Sequence, residues 1–181
     1  MKGTLLVEFL TFVEKRHGAE QVETIIEAVE TELSTAGAYT TVGNYPHSEL
    51  MALLGALIEQ TGEDAGGVVR DFSVFLMSAF HRMHPEFFVG KSDLFEFLRS
   101  VGQKIHVEVE KLYQDARPPK IVVTDMPDNS IEVSYQSSRP MAGVAQALIE
   151  AAAGHFGQPI TIDMVSESAD QTSRVVRVAR R

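Results

Sequence analysis

Apolar residues along the first half of the chain recur at helical steps. Leu5, Leu6, Phe9, Phe12 and Val13 fall on one face of a helix, and Gly18 stands where a C-cap belongs. Val22, Ile25, Ile26 and Val29 continue as a second amphipathic helix. The stretch STAGAYTTVGNYP is made of turn formers and predicts a loop. Ser48 is the expected cap of a third helix whose inward face is Leu50, Leu53, Leu54 and Leu57. From Ala65 to Met83 the apolar positions are so dense that burial on most sides is expected. HPEFFVGKS breaks that helix, and Ser92 is the expected cap of a short helix after it. Over QKIHVEVEKLYQDA, residues 103–116, alternation of Ile105, Val107 and Val109 would suit a strand. Ile105, Val109 and Leu112 at helical spacing, among Glu and Lys, favour a helix with His106 at the core boundary beside Val109 and Tyr113.

After Ala116 the period changes. KIVVTD and IEVSYQ read as strands around a Pro-Asp-Asn-Ser turn, PMAGVAQALIEAAAGHFG as a helix, and ITIDMVSES and SRVVRVARR as a closing hairpin. The prediction is an α+β fold in which a helical N-terminal half packs on an antiparallel sheet with β-β-α-β-β order. No repeat or linker interrupts residues 1–181, so one domain is expected.

Composition narrows the chemistry. A net charge of −9 over 181 residues argues against a nucleic-acid surface, so no nucleic-acid partner is expected. No apolar run reaches the roughly 18 residues of a membrane span, and the N-terminus has no signal-peptide layout, so a cytoplasmic protein is expected. Zero cysteines exclude disulfides, thiolate nucleophiles, cysteine-held zinc and iron–sulfur clusters. Any metal must rest on His, Asp, Glu, Tyr or Met.

G-x-S-x-G, H-E-x-x-H, P-loop and G-x-G-x-x-G patterns are all absent, so no enzyme activity is expected. Glu108 and Glu110, two apart on a helix, point in different directions and read as a solvated face. His81 and His84 have spacing that can hold a metal, but Pro85 ends their helix, and histidine there suits the helix dipole. On a strand, Tyr135, Ser137 and Arg139 would form a polar row, with two hydroxyls and a planar fork for a ligand with separated carboxylates. The plainer readings are a core histidine at His106 and a solvated edge strand at the row.

Taken together, the N-terminal MKG, IHVEVEKLY around His106, YQSSR and PMAGVAQALIEAAAGHFG resemble the H-NOX family, the haem nitric oxide/oxygen-binding domains related to the sensor domain of soluble guanylate cyclase. The resemblance runs along the whole chain in order. It implies a non-covalent haem b between a distal helical part, residues 1–60, and a proximal α/β part, residues 61–181. His106 would be the axial ligand of iron, and Tyr135, Ser137 and Arg139 would hold the propionates. Pro119 would press on the porphyrin, and Leu5 would lie at its edge. Oxygen-binding members resemble one another in a tyrosine five residues after the motif arginine; here that position is Val144. The supporting distal positions align with Phe9 and Leu76, which have no donor either. The resemblance therefore implies a bacterial-type sensor of NO, which also binds CO, with release of the proximal histidine and a shift of the helical half against the sheet half. A separate histidine kinase or cyclic-di-GMP synthase/phosphodiesterase would read it. The alternatives are a haem-based oxygen sensor, with Tyr39 or Tyr45 of the loop as donor, and a haem-free small-molecule-binding or interaction module on the same fold.

Overall fold

The computed structural model describes residues 1–113 and 115–181. It divides into two compact units, Met1–Leu76 and Met77–Arg181. The first holds α1 (Thr4–His17), α2 (Ala19–Ala28), α3 (His47–Thr61) and most of α4 (Ala65–Met83). Its core is the inward face the periodicity predicts. Leu6, Phe9, Val13, Ile25, Leu53, Leu57 and Leu76 are all fully buried. Phe9 meets Phe72 edge-on at 5.2 Å, and both lie against Phe12. Each such side chain contributes about 1.5–3 kcal/mol by leaving water. Gly18 ends α1 with φ 92°, as expected of a C-cap, whereas α3 starts after Pro46 without help from the Ser48 side chain.

The second unit carries α5 (Leu94–Ser100), a π-helical turn (Val101–Ile105), α6 (His106–Leu112), β1 (Lys120–Asp125), β2 (Ile131–Gln136), α7 (Ala142–His155), β3 (Ile160–Glu167) and β4 (Ser173–Arg180). The strands form one antiparallel sheet in the order β1-β2-β4-β3, so α7 bridges the step from β2 across to β3. Ile131, Val133 and Tyr135 of β2 alternate inward, joined by Val176 and Val178 of β4. Ala151, Ala152 and Ala153 of α7 are buried in the same core. Phe95, Phe97 and Leu98 of α5 complete it.

Three local expectations are corrected. The cap of α5 is Asp93, which accepts from the Glu96 amide at 3.0 Å, while Ser92 donates from both amide and hydroxyl to the Glu96 carboxylate. That reciprocal arrangement shifts the cap by one residue. Leu112, expected inward, is 73% exposed because α6 has no buried residue at all. The predicted polar row does not lie along a strand, since β2 ends at Gln136.

Candidate functional site

His106 opens α6 directly after the π-helical turn, and its side chain is half-buried. Its Nδ1 lies 2.8 Å from the Pro119 carbonyl. A carbonyl can only accept, so Nδ1 carries the proton and Nε2 keeps its lone pair. Burial lowers the pKa of the ring, opposed by the bond to Pro119 and the charge of Glu110, so the imidazole stays neutral. Among the described residues nothing bonds Nε2. A neutral imidazole fixed through its far nitrogen by a backbone carbonyl is how proteins orient metal-binding histidines.

The helix reaches that position because of Gly102. A Cβ there would lie 2.1 Å from the Ile121 carbonyl oxygen of β1, so only hydrogen permits the approach. Beside this contact, a cleft of about 470 Å³ separates the helical segment from β1, lined by Gln103, His106, Val107, Pro119 and Val122 among others.

Tyr135, Ser137 and Arg139 do converge, though by strand end and turn. Tyr135 is buried at the end of β2, and burial raises its phenol's pKa, against the Ser137 hydroxyl and the nearby Arg139 charge. Ser137 accepts from the Arg139 amide at 3.1 Å, and its own amide donates to the Thr172 carbonyl at 2.8 Å, which ties the turn to the β3–β4 hairpin. Arg139 Nη1 donates to the Arg117 carbonyl at 2.7 Å. Arg117 stands two residues before Pro119, so one short segment links the guanidinium to the histidine. No carboxylate pairs with Arg139 among the described residues, in a chain with 25 acidic residues.

This donor set fits a haem. Among the described residues no group of three or more His, Asp or Glu could hold a bare metal ion. One imidazole suffices for iron already ringed by porphyrin nitrogens, and an unpaired Arg with Tyr and Ser hydroxyls suits propionates.

In the other unit, Leu5 is half-buried on α1, and Phe9 and Leu76 are fully buried. Val144 is half-buried in the first turn of α7. Of the two loop tyrosines, Tyr39 has its phenol proton committed. Tyr39 donates to Glu49 at 2.7 Å, with its pKa raised by burial and by that carboxylate, and Tyr45 accepts from the Thr40 amide at 3.0 Å. His81 and His84 part company: His81 packs on Phe88 and His155, while His84 faces Glu86 and Phe87. Sequence reasoning missed Gly102, whose signal was an isolated glycine within a helical pattern. It also missed the carbonyls of Arg117 and Pro119, which no side-chain pattern announces.

The sequence profile of the Haem-NO-binding family matches residues 2–164. An Fe(II) unliganded H-NOX protein from K. algicida superimposes with TM-score 0.88 at 31% identity, covering 100% of this chain and 97% of that one. An H-NOX protein from S. oneidensis in the Fe(II)NO ligation state shares the fold at TM-score 0.87 and 23% identity, covering 100% and 99%. So does an oxygen-binding H-NOX domain related to soluble guanylate cyclases, at TM-score 0.83 and 22% identity, covering 100% and 95%. Nothing among curated protein sequences matches.

Proposed function

Because the chain belongs to the Haem-NO-binding family, whose members are haem-based sensors of NO or O2 and not enzymes, we propose that it is an NO sensor that signals through His106 to a separate partner. The observation that carries this reading is the neutral His106 imidazole, held at Nδ1 by Pro119 with Nε2 left for iron. A haem b, when bound, would supply a ferrous iron for diatomic-gas binding, and His106 Nε2 would hold that iron. Tyr135, Ser137 and Arg139 would hold the propionates, which would bring positive charge to an anionic cofactor in an acidic protein. By the family resemblance, Pro119 would press on the porphyrin and Leu5 would lie at its edge.

Gas choice follows from what the distal residues lack. Bound O2 carries partial negative charge and needs a hydrogen-bond donor, whereas NO and CO are less demanding. Phe9, Leu76 and Val144 have none, and the Tyr39 phenol already donates to Glu49.

Output follows from how loosely α6 is held. With no buried residue in α6, and Val107, Leu112 and Tyr113 exposed, the His106 side chain is a main tether of the helix. Release of the imidazole frees α6, and weakly packed elements of this kind are the ones that switch. A cytoplasmic bacterial histidine kinase or cyclic-di-GMP synthase/phosphodiesterase is the proposed reader. No helix of the described residues is long and apolar enough to cross a membrane.

The test is the absorption spectrum of purified protein, reduced without air, then exposed to air and separately to NO. A haem spectrum that ignores air and becomes five-coordinate with NO is expected. A stable oxygen complex would overturn the gas assignment, and a colourless protein that refuses added haem would overturn the reading itself. Val144→Tyr, combined with Leu76→Asn, is expected to create an oxygen complex that air-exposed wild type lacks. Arg139→Ala is expected to release haem to apomyoglobin about 10- to 100-fold faster, the loss of a charge-assisted bond. An unchanged rate would return Arg139 to a solvated surface role.

A further inference from the structure

Two histidines far apart in sequence meet at the surface of the second compact unit. His81 lies in the last turn of α4 and His155 closes α7, and their ring centres stand 4.8 Å apart. Both side chains are exposed. Phe88 meets both rings edge-on, at 4.9 Å and 5.0 Å, and Phe156 lies 5.2 Å from His155. Packing places these imidazoles, and among the described residues no hydrogen bond or ion pair engages a nitrogen of either ring. His84, by contrast, faces the Glu86 carboxylate at 3.2 Å.

The spacing suits a shared ion. A metal about 2.0–2.1 Å from an imidazole nitrogen stands about 3.2 Å from that ring's centre, so two rings sharing it at right-angle to tetrahedral geometry have centres about 4.5–5.2 Å apart. The observed 4.8 Å falls inside that range. Because no hydrogen bond fixes either ring, a half-turn about χ2 presents either nitrogen edge with little movement of the centre. The carbonyl ends of two helices converge here, which favours a cation. The aromatic contacts withdraw water from one side of His155, and that burial, with the charge of His81, lowers its pKa and keeps the ring unprotonated at neutral pH. We propose that His81 and His155 together chelate one divalent transition-metal ion, Cu(II) in preference to Zn(II). Imidazole suits both ions, and an unconstrained pair of nitrogens follows the ordinary affinity order. No third His, Asp or Glu joins the pair among the described residues, so water fills the remaining positions and the ion exchanges with solvent. The site is separate from His106 and does not depend on the haem.

The experiment titrates purified protein with Cu(II) and Zn(II), reading affinity by competition with a chelating dye and copper coordination by electron paramagnetic resonance. H81F and H155F keep a ring against Phe88 and remove the nitrogens, and H84F is the control. Wild type is expected to bind one Cu(II) with hyperfine structure from two nitrogens. H81F and H155F are each expected to bind it about 10-fold more weakly or worse, because losing a ligand costs no less than losing a group that orients one. H84F is expected to match wild type. Copper should raise the melting temperature of wild type and not of H81F or H155F. A wild-type copper spectrum without two nitrogen ligands overturns the site, whatever the variants do. Wild-type affinity in either H81F or H155F overturns it too. A loss in H84F as large as that in H81F would move the ion to the end of α4 and overturn the pairing with His155.

Discussion

His106→Gly is expected to leave the protein folded but to weaken haem binding by more than about 100-fold, with recovery when imidazole is supplied. Losing a residue that merely orients a metal ligand costs about 10- to 100-fold, and losing the ligand itself costs more. Folding is spared because α6 contributes no buried residue, so the lost ring removes one hydrogen bond to Pro119 and little packing. Free imidazole fits the cavity the truncation leaves, and its N–H can donate to the Pro119 carbonyl as His106 does. The measurement is haem titration with and without imidazole, followed through the absorption of the reduced protein. Binding that is equally tight and spectrally unchanged without imidazole would remove His106 as the iron ligand. Rescue has a further consequence. Imidazole is not tethered to α6, so NO should still produce its spectral change while the helix no longer responds, which hydrogen exchange over residues 101–113 can read.

How much of this was legible beforehand depends on what kind of group carries each role. Side-chain roles follow periodicity: Leu6, Phe9, Leu53 and Leu57 are buried where a 3.6-residue repeat puts them, and Ile131, Val133 and Tyr135 where a two-residue repeat does. The β-β-α-β-β order followed from β-branched runs and the turn residues between them. Asn129 confirms the first turn with φ 62°, a backbone state that asparagine accepts. The resemblance carried the site itself, since neither His106 nor YQSSR exceeds a plain structural reading alone.

What stayed hidden lies in the main chain. The Tyr135–Arg139 cluster was expected as a strand row, yet it forms because the chain turns after Gln136 and the Ser137 amide binds Thr172. That bond joins residues far apart in sequence, and no local pattern encodes it. Leu112 has helical spacing but no partner surface, because periodicity describes a helix's own face and says nothing of what lies opposite. The π-helical turn before His106 likewise has no composition signal. It adds a residue to the turn and rotates the following helix, and such insertions gather at functional sites.

Gly102, within that turn, makes the second large prediction: Gly102→Ala should destabilise the protein and loosen His106 together. Two effects oppose each other. Alanine in a helix interior is favoured over glycine by roughly 0.5–1 kcal/mol. Against this, the new methyl would lie 2.1 Å from the Ile121 carbonyl oxygen and 3.0 Å from its carbon, a backbone group that no rotamer change can move. Overpacking of this kind costs about 1–3 kcal/mol and more where the backbone must yield. The clash should win by about 2 kcal/mol, a fall of roughly 4–8 °C in melting temperature for a domain of this size. Relief requires the helix to lift from β1. His106 follows four residues later and Pro119 ends the segment leading into β1, so the same displacement stretches the 2.8 Å bond between them. The iron–histidine stretching band of reduced protein should therefore shift, and more of the NO complex should lose its histidine. A melting temperature that rises by the helix-propensity gain, with an unchanged band, would mean that the helix does not approach β1 this closely. A fall in stability with an unchanged band would separate the seam from the ligand and confine Gly102 to holding the helix against the sheet edge.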